Sequence, residues 1–145
     1  DLKRREDSKS MLVLVSDTLQ VERLVREVPE VAFDLMDLSV RPITIIYSGA
    51  SGVAPSLLGE GSSLGIRRTE ELFSSALCKR LRRPIVSTSA NISGEPTPLF
   101  FSGISPEIVS GVDYVVRYRR EDETPREPSQ IIKLGPTGEV EVLRP

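Results

Sequence analysis

Residues 11–28 read MLVLVSDTLQVERLVREV, and the change of period inside this stretch decides the fold. Met11–Val15 is a short continuous apolar run and reads as a buried strand. Asp17-Thr18-Leu19-Gln20 then has the spacing of a capping box, and Val21, Leu24, Val25 and Val28 keep helical period. Working outward, Pro29 can open a second helix with Phe33, Leu35, Met36 and Leu38 as its apolar side, which Arg41-Pro42 ends. Residues 43–47, ITIIY, predict a second strand. The Gly/Ser-rich stretch 48–63 predicts a loop with one helical turn near Ser56–Leu58, and 64–67 a third short strand. Thr69 can cap a helix to about Leu81, with Leu72, Phe73, Ala76, Leu77 and Leu81 buried. Further strands are predicted over 84–88 and 113–118, and a short helix near Pro106–Ser110. The run 117–129 is a charged loop, and 130–134 with 139–144 reads as a terminal hairpin. Strands alternating with helices indicate an α/β fold, and the hairpin adds antiparallel pairing.

The 145 residues suit one domain. With no Trp and few aromatics, its core is expected to be aliphatic. A net charge of −2 argues against tight autonomous binding of RNA or DNA, where affinity comes from neutralising phosphates. A single cysteine excludes an intramolecular disulfide and a cysteine-based zinc site. No apolar run is long enough to span a membrane, and a cytoplasmic location follows as the expectation. The chain has no histidine, which removes Ser-His-Asp and Cys-His catalysis. Any chemistry falls to Lys, Arg, carboxylates, hydroxyls, backbone amides or a bound metal. The chain opens on Asp1 and a charged segment, DLKRREDSKS, so a preceding N-terminal piece is expected.

Six features carry possible chemistry, each with a plainer reading beside it. Lys3-Arg4-Arg5 is either a solvated segment or an anion clamp, since Lys3 and Arg5 point to one side of an extended chain. KRLRR, 79–83, resembles an RNA patch, but acids at a helix start and bases at its end are what the helix dipole favours. Arg67, at the end of a strand among glycines, suits a carboxylate or is an ordinary surface arginine. Ser87, Thr88, Ser89 and Asn91, in STSANISGEPTP (87–98), form a neutral phosphate cradle or a turn before Pro96. Cys78 reads as packing, and Glu121-Asp122-Glu123 as an acidic loop rather than a metal site.

Taken together, these residues resemble the YrdC family of threonylcarbamoyl-AMP synthases over nearly the whole chain. The family's Lys-x-Arg motif looks like Lys3-Arg4-Arg5, followed by LVLVSD, and its Ser-x-Asn motif looks like Ser89-Ala90-Asn91. RPITIIY, LGIR and PIVSTSAN occur between them in the family's order, and Pro128-Ser129 and Leu143-Arg144-Pro145 resemble its closing segments. The resemblance implies a twisted, mixed parallel and antiparallel sheet flanked by helices around a positively lined cavity. It implies formation of threonylcarbamoyl-AMP from L-threonine, bicarbonate and ATP, with Mg²⁺ accompanying ATP and pyrophosphate released. A threonylcarbamoyl-transferase partner would then modify a tRNA adenosine beside the anticodon.

By the same resemblance, Lys3, Arg5 and Arg144 hold ATP phosphates, and Ser89 and Asn91 contact the nucleotide. Lys3, Arg5, Ser89 and Asn91 form the catalytic set. Arg67, Ser87 and Ser129 bind threonine, and no protein metal ligand is implied. The chain departs from the family pattern at Arg4, where the family often has Gly, and at Glu6 and Ser10, often Pro. It also lacks the family's N-terminal strand and its Pro-Thr-Asp-Thr-type threonine-pocket motif, so a gap or exposed apolar edge is expected where that strand would pair. The competing readings are a YciO-type paralogue, which usually lacks Ser-Ala-Asn, an RNA-binding module (double-stranded RNA included) without synthase activity, and an inactive fragment.

Overall fold

Leu12–Val15 (β1) is apolar throughout, yet its residues alternate between half-buried and buried. That alternation carries across the sheet, because successive strand side chains point to opposite faces. The computed structural model describes residues 2–4 and 11–145. After β1 come α1 (Thr18–Leu24), α2 (Glu30–Leu38), β2 (Ile43–Tyr47), β3 (Leu64–Arg68), α3 (Leu72–Leu81) and β4 (Ile85–Ser87). Then follow α4 (Pro106–Gly111), β5 (Gln130–Leu134) and β6 (Val140–Arg144). The described residues divide into two units: 11–87 with 128–145, which holds all six strands and α1–α3, and 2–4 with 88–127, which holds α4.

The strands form one open, mixed sheet in the order β4-β1-β3-β2-β5-β6. β1/β3 and β2/β5 are parallel, and β1/β4, β2/β3 and β5/β6 are antiparallel. The α/β class and the mixed pairing are therefore as expected. One face of the sheet presents Val13, Val15, Ile43, Ile45, Tyr47, Leu64, Ile66, Ile132 and Leu134. These pack with Val21 and Leu24 of α1 and Ala32 and Met36 of α2 into an aliphatic core. By register, the opposite face carries Leu12, Leu14, Thr44, Ile46, Gly65, Arg67, Ile131 and Arg144. Leu12, Leu14, Ile46 and Ile131 on it are only half-buried. Every sheet residue expected to bind a substrate lies on this second face, Ser87 included, through its pairing with Leu12.

The α1 start follows the capping pattern with one shift. The Asp17 carboxylate accepts from the Gln20 amide at 2.9 Å. Gln20 Oε1 reaches back to the Ser16 amide at 3.0 Å, one residue earlier than the capping box has it. The Ser16 hydroxyl, bonded to Asp17 at 2.8 Å, and then the Gln20 amide hold the Asp17 carboxyl below the usual carboxylate range. A depressed folded pKa gives stability that is present above the unfolded pKa and lost as pH falls through the folded one. Asp17→Ala should therefore cost about 1 kcal/mol at neutral pH. In urea melts the gap to wild type should shrink below about pH 4, where carboxyls protonate even unfolded. A gap unchanged by acid would show that the carboxylate charge is not what caps α1.

Four expectations fail. The 113–118 segment is not a strand. Arg120 donates to the carbonyls of Val115 at 2.6 Å and Val116 at 2.8 Å, occupying acceptors that a ladder would use, and Tyr114 stands 73% exposed. The buried face of α3 is Cys78 rather than the Leu72/Phe73/Ala76/Leu77/Leu81 side, which is exposed. Its cap is Glu71, whose carboxylate accepts from the Phe73 and Ser74 amides, while Thr69 bonds the Ser74 hydroxyl instead. Leu38 on α2 is likewise exposed, and that helix buries Ala32 and Met36. Helical period located these helices, but it did not say which side meets the sheet.

Candidate functional site

Strand β3 turns Arg67 onto the second sheet face, where β2 and β5 bring two hydroxyls to it. Arg67 Nε donates to Thr44 Oγ1 at 2.9 Å, and Arg67 Nη2 to Ser129 Oγ at 2.8 Å. The two hydroxyls are 3.1 Å apart, and both residues are buried. From the end of β6, Arg144 donates through Nε and Nη2 to the Ser129 carbonyl at 2.8 and 2.6 Å, and through Nη2 to Ser129 Oγ at 3.2 Å. Two guanidinium groups thus meet on one serine. Among the described residues, no carboxylate pairs with either. Burial first, then the Arg144 charge, push the Arg67 pKa down, as expected for a desolvated cation facing a like charge.

The donor count defines what this cluster accepts. A hydroxyl oxygen takes two hydrogen bonds and gives one. Ser129 Oγ is filled by the two guanidinium groups, so its proton goes to Thr44 Oγ1. Thr44 Oγ1 then takes that proton and Arg67 Nε. The Thr44 proton and the remaining N–H groups of Arg67 have no acceptor within the cluster. Donors in excess, two cations and no acid make a site for an acceptor-only anion, and a carboxylate fits a guanidinium fork bidentately.

The second cluster lies in the other unit. Lys3 Nζ donates to the carbonyl oxygens of Ser89 and, at 2.8 Å, Asn91, with Ser89 Oγ at 3.5 Å. The Lys3 carbonyl accepts from the Ser93 amide at 2.8 Å, so the backbone is tied as well. Asn91 Nδ2 donates to the carbonyls of Ile92 at 3.1 Å and Glu95 at 2.7 Å. Asn91 Oδ1 is buried and has no partner among the described residues. An orphaned buried acceptor suits a ligand hydroxyl or amine, not a phosphate. Arg4 sits at φ +49° and pairs with Glu107 at 2.9 Å. That left-handed backbone explains why glycine suits this position.

Of the expected site residues, the structure joins Arg67, Ser129 and Arg144 in one cluster, and Lys3, Ser89 and Asn91 in the other. Arg5 lies outside the described residues, as do Glu6 and Ser10. Ser87 ends the edge strand β4, and no side-chain hydrogen bond among the described residues joins it to Arg67 or Ser129. Thr44 escaped the sequence reading. Its one signal was a lone aliphatic hydroxyl inside the otherwise apolar and aromatic ITIIY. Cys78 is fully buried, and burial raises its thiol pKa, in keeping with packing. Asp122 is bonded by Arg119 and the Thr124 amide, and among the described residues no acidic group is arranged to hold a metal. No described helix is long and apolar enough to cross a membrane.

An open α/β sheet with a donor-rich anion site at its strand ends defines a small-anion-binding fold, and the sequence comparison says which family it belongs to. The family model for Sua5/YciO/YrdC, described as telomere recombination, matches residues 1–145, and the chain belongs to that family. A putative threonylcarbamoyl-AMP synthase of Methanocaldococcus jannaschii is 31% identical over 135 residues, 92% of this chain and 61% of that protein. The threonylcarbamoyl-AMP synthase of Coxiella burnetii is 29% identical over 96 residues, 66% of this chain and 52% of that protein. The crystal structure of P. abyssi Sua5 complexed with L-threonine shares the fold, with TM-score 0.75 at 23% identity, covering 92% of this chain and 39% of that one. The matched part thus spans about half to three fifths of these curated relatives.

Proposed function

We propose that the chain carries threonylcarbamoyl-AMP synthase chemistry on L-threonine, bicarbonate and ATP. The observation that carries this reading is the Arg67–Thr44–Ser129–Arg144 cluster, two cations without an acid, in a chain of this family. The names of its relatives and the threonine bound to P. abyssi Sua5 support the choice of substrate. In this reading Arg67 grips the threonine carboxylate, with Ser129 beside it, and Ser87 borders the amino-acid side. Arg144 and Lys3, with Arg5, bind phosphate oxygens. Ser89 contacts the nucleotide, and the orphan Asn91 Oδ1 accepts from a hydroxyl or amine of it.

The threonine amine and bicarbonate condense to a carbamate with loss of water. A carbamate oxygen then attacks the α-phosphorus, and pyrophosphate leaves. The carbamate is already anionic, so the attack needs no histidine base. Rate comes from positioning and from cations facing the charge that builds on phosphorus and leaving group. The residues of both clusters are cationic or neutral and do not fit a resident magnesium site, so the ion enters as part of the ATP substrate. Transfer of the product to a tRNA adenosine by a partner enzyme completes the reading.

Calorimetry with L-threonine and, separately, with D-threonine tests the amino-acid half. Saturable binding of the L form, abolished by Arg67→Ala, is expected. No binding of either would remove threonine as the substrate.

A further inference from the structure

We infer that Thr44 is a positioning residue for the anion site: its hydroxyl holds the Arg67 guanidinium in the orientation that presents its fork to a carboxylate. This rests on the reading of Arg67 as the threonine-carboxylate ligand. Arg67 has a long side chain with several rotatable bonds, and a half-buried guanidinium without an acid partner has nothing ionic to lock it. Two contacts fix it, Nε on Thr44 and Nη2 on Ser129. Ser129 alone would hold one nitrogen and leave the plane free to rotate. Thr44 pins the second nitrogen on the same edge, so the other terminal nitrogen, Nη1, is the part turned away from both hydroxyls.

Thr44 is itself fixed. It lies in β2 between β3 and β5, where the backbone is paired on both sides. Its methyl group lies beside Gly65: a Cβ added there would stand 3.5 Å from Thr44 Cγ2 and 3.3 Å from Leu12 Cβ. Methyl against Gly65 and hydroxyl against Arg67 and Ser129 leave this β-branched side chain one rotamer. The hydroxyl also receives the Ser129 proton, which frees the Ser129 lone pairs for the two arginines. Thr44 thus never needs to touch substrate to set how tightly the carboxylate is held.

Thr44→Val keeps the branched shape and the strand preference and removes the hydroxyl, while Thr44→Ser keeps the hydroxyl. Calorimetric affinities for L-threonine and for ATP would be measured on wild type and both variants, with thermal melts to confirm folding. Thr44→Val should weaken L-threonine binding about tenfold or more, the scale of one hydrogen bond to a charged group, and leave ATP affinity within about twofold. Thr44→Ser should restore L-threonine affinity to within about threefold of wild type. Wild-type affinity in Thr44→Val, equal losses in both variants, or matching losses for L-threonine and ATP would each overturn the inference. Wild-type protein that binds no L-threonine would refute the carboxylate reading of Arg67 itself, and this inference with it.

Discussion

Arg67→Ala should abolish measurable L-threonine binding while leaving the protein folded and at least as stable as wild type. The two halves of that outcome have one cause. In the free protein Arg67 is desolvated and faces Arg144 with no acid between them, so its charge is held at a cost. Its removal lets Thr44 and Ser129, already 3.1 Å apart, satisfy each other. On binding, the same arginine gains a carboxylate, and loss of a buried, hydrogen-bonded charge partner weakens association by about 2–5 kcal/mol, roughly 30-fold to several thousandfold. Arg67→Lys keeps the charge but not the fork and should recover only part of the affinity. Calorimetry paired with thermal melts checks both halves. A melting temperature that falls by several degrees along with the affinity would make Arg67 a structural residue.

Lys3→Ala should weaken ATP binding about 10- to 100-fold, the effect of losing a charge-assisted contact, while L-threonine affinity measured without ATP stays near wild type. Lys3 works on two levels. Its ammonium gathers the carbonyls of Ser89 and Asn91, and in the proposed function its charge also faces nucleotide phosphates. Lys3→Arg should not rescue, because a planar guanidinium cannot replace a compact ammonium among carbonyl oxygens. Full ATP affinity in Lys3→Ala would restrict Lys3 to tying the Ser89–Asn91 turn.

The elements read well from sequence wherever a local rule sets them. The capping residues at 17–20, the Pro106 helix start and the terminal hairpin are all fixed by neighbours a few positions away. The failures, apart from the shift of the α3 cap from Thr69 to Glu71, depend on distant partners. Residues 113–118 have strand-like composition but no strand to pair with, and their carbonyls go to Arg120. The leucines of α3 have helical period, but the sheet meets Cys78 instead. The same division runs through the site. Arg67 was legible from residue type and strand-end position, and Ser129 and Arg144 only through the resemblance to the family. Their meeting on one hydroxyl was not, because it depends on β3, β2, β5 and β6 lying side by side. Thr44 was hidden for a related reason: one hydroxyl in an apolar strand is ordinary until its neighbours are known.

In the proposed function this chain joins the carbamate of L-threonine to the α-phosphate of ATP. The most direct measurement is pyrophosphate release from ATP with each component withheld in turn, beside the Arg67→Ala variant. Release is expected only when L-threonine, bicarbonate and ATP are all present, with none above background from Arg67→Ala. Release that persists without L-threonine or without bicarbonate, or the absence of release from a protein that binds both L-threonine and ATP, would contradict it.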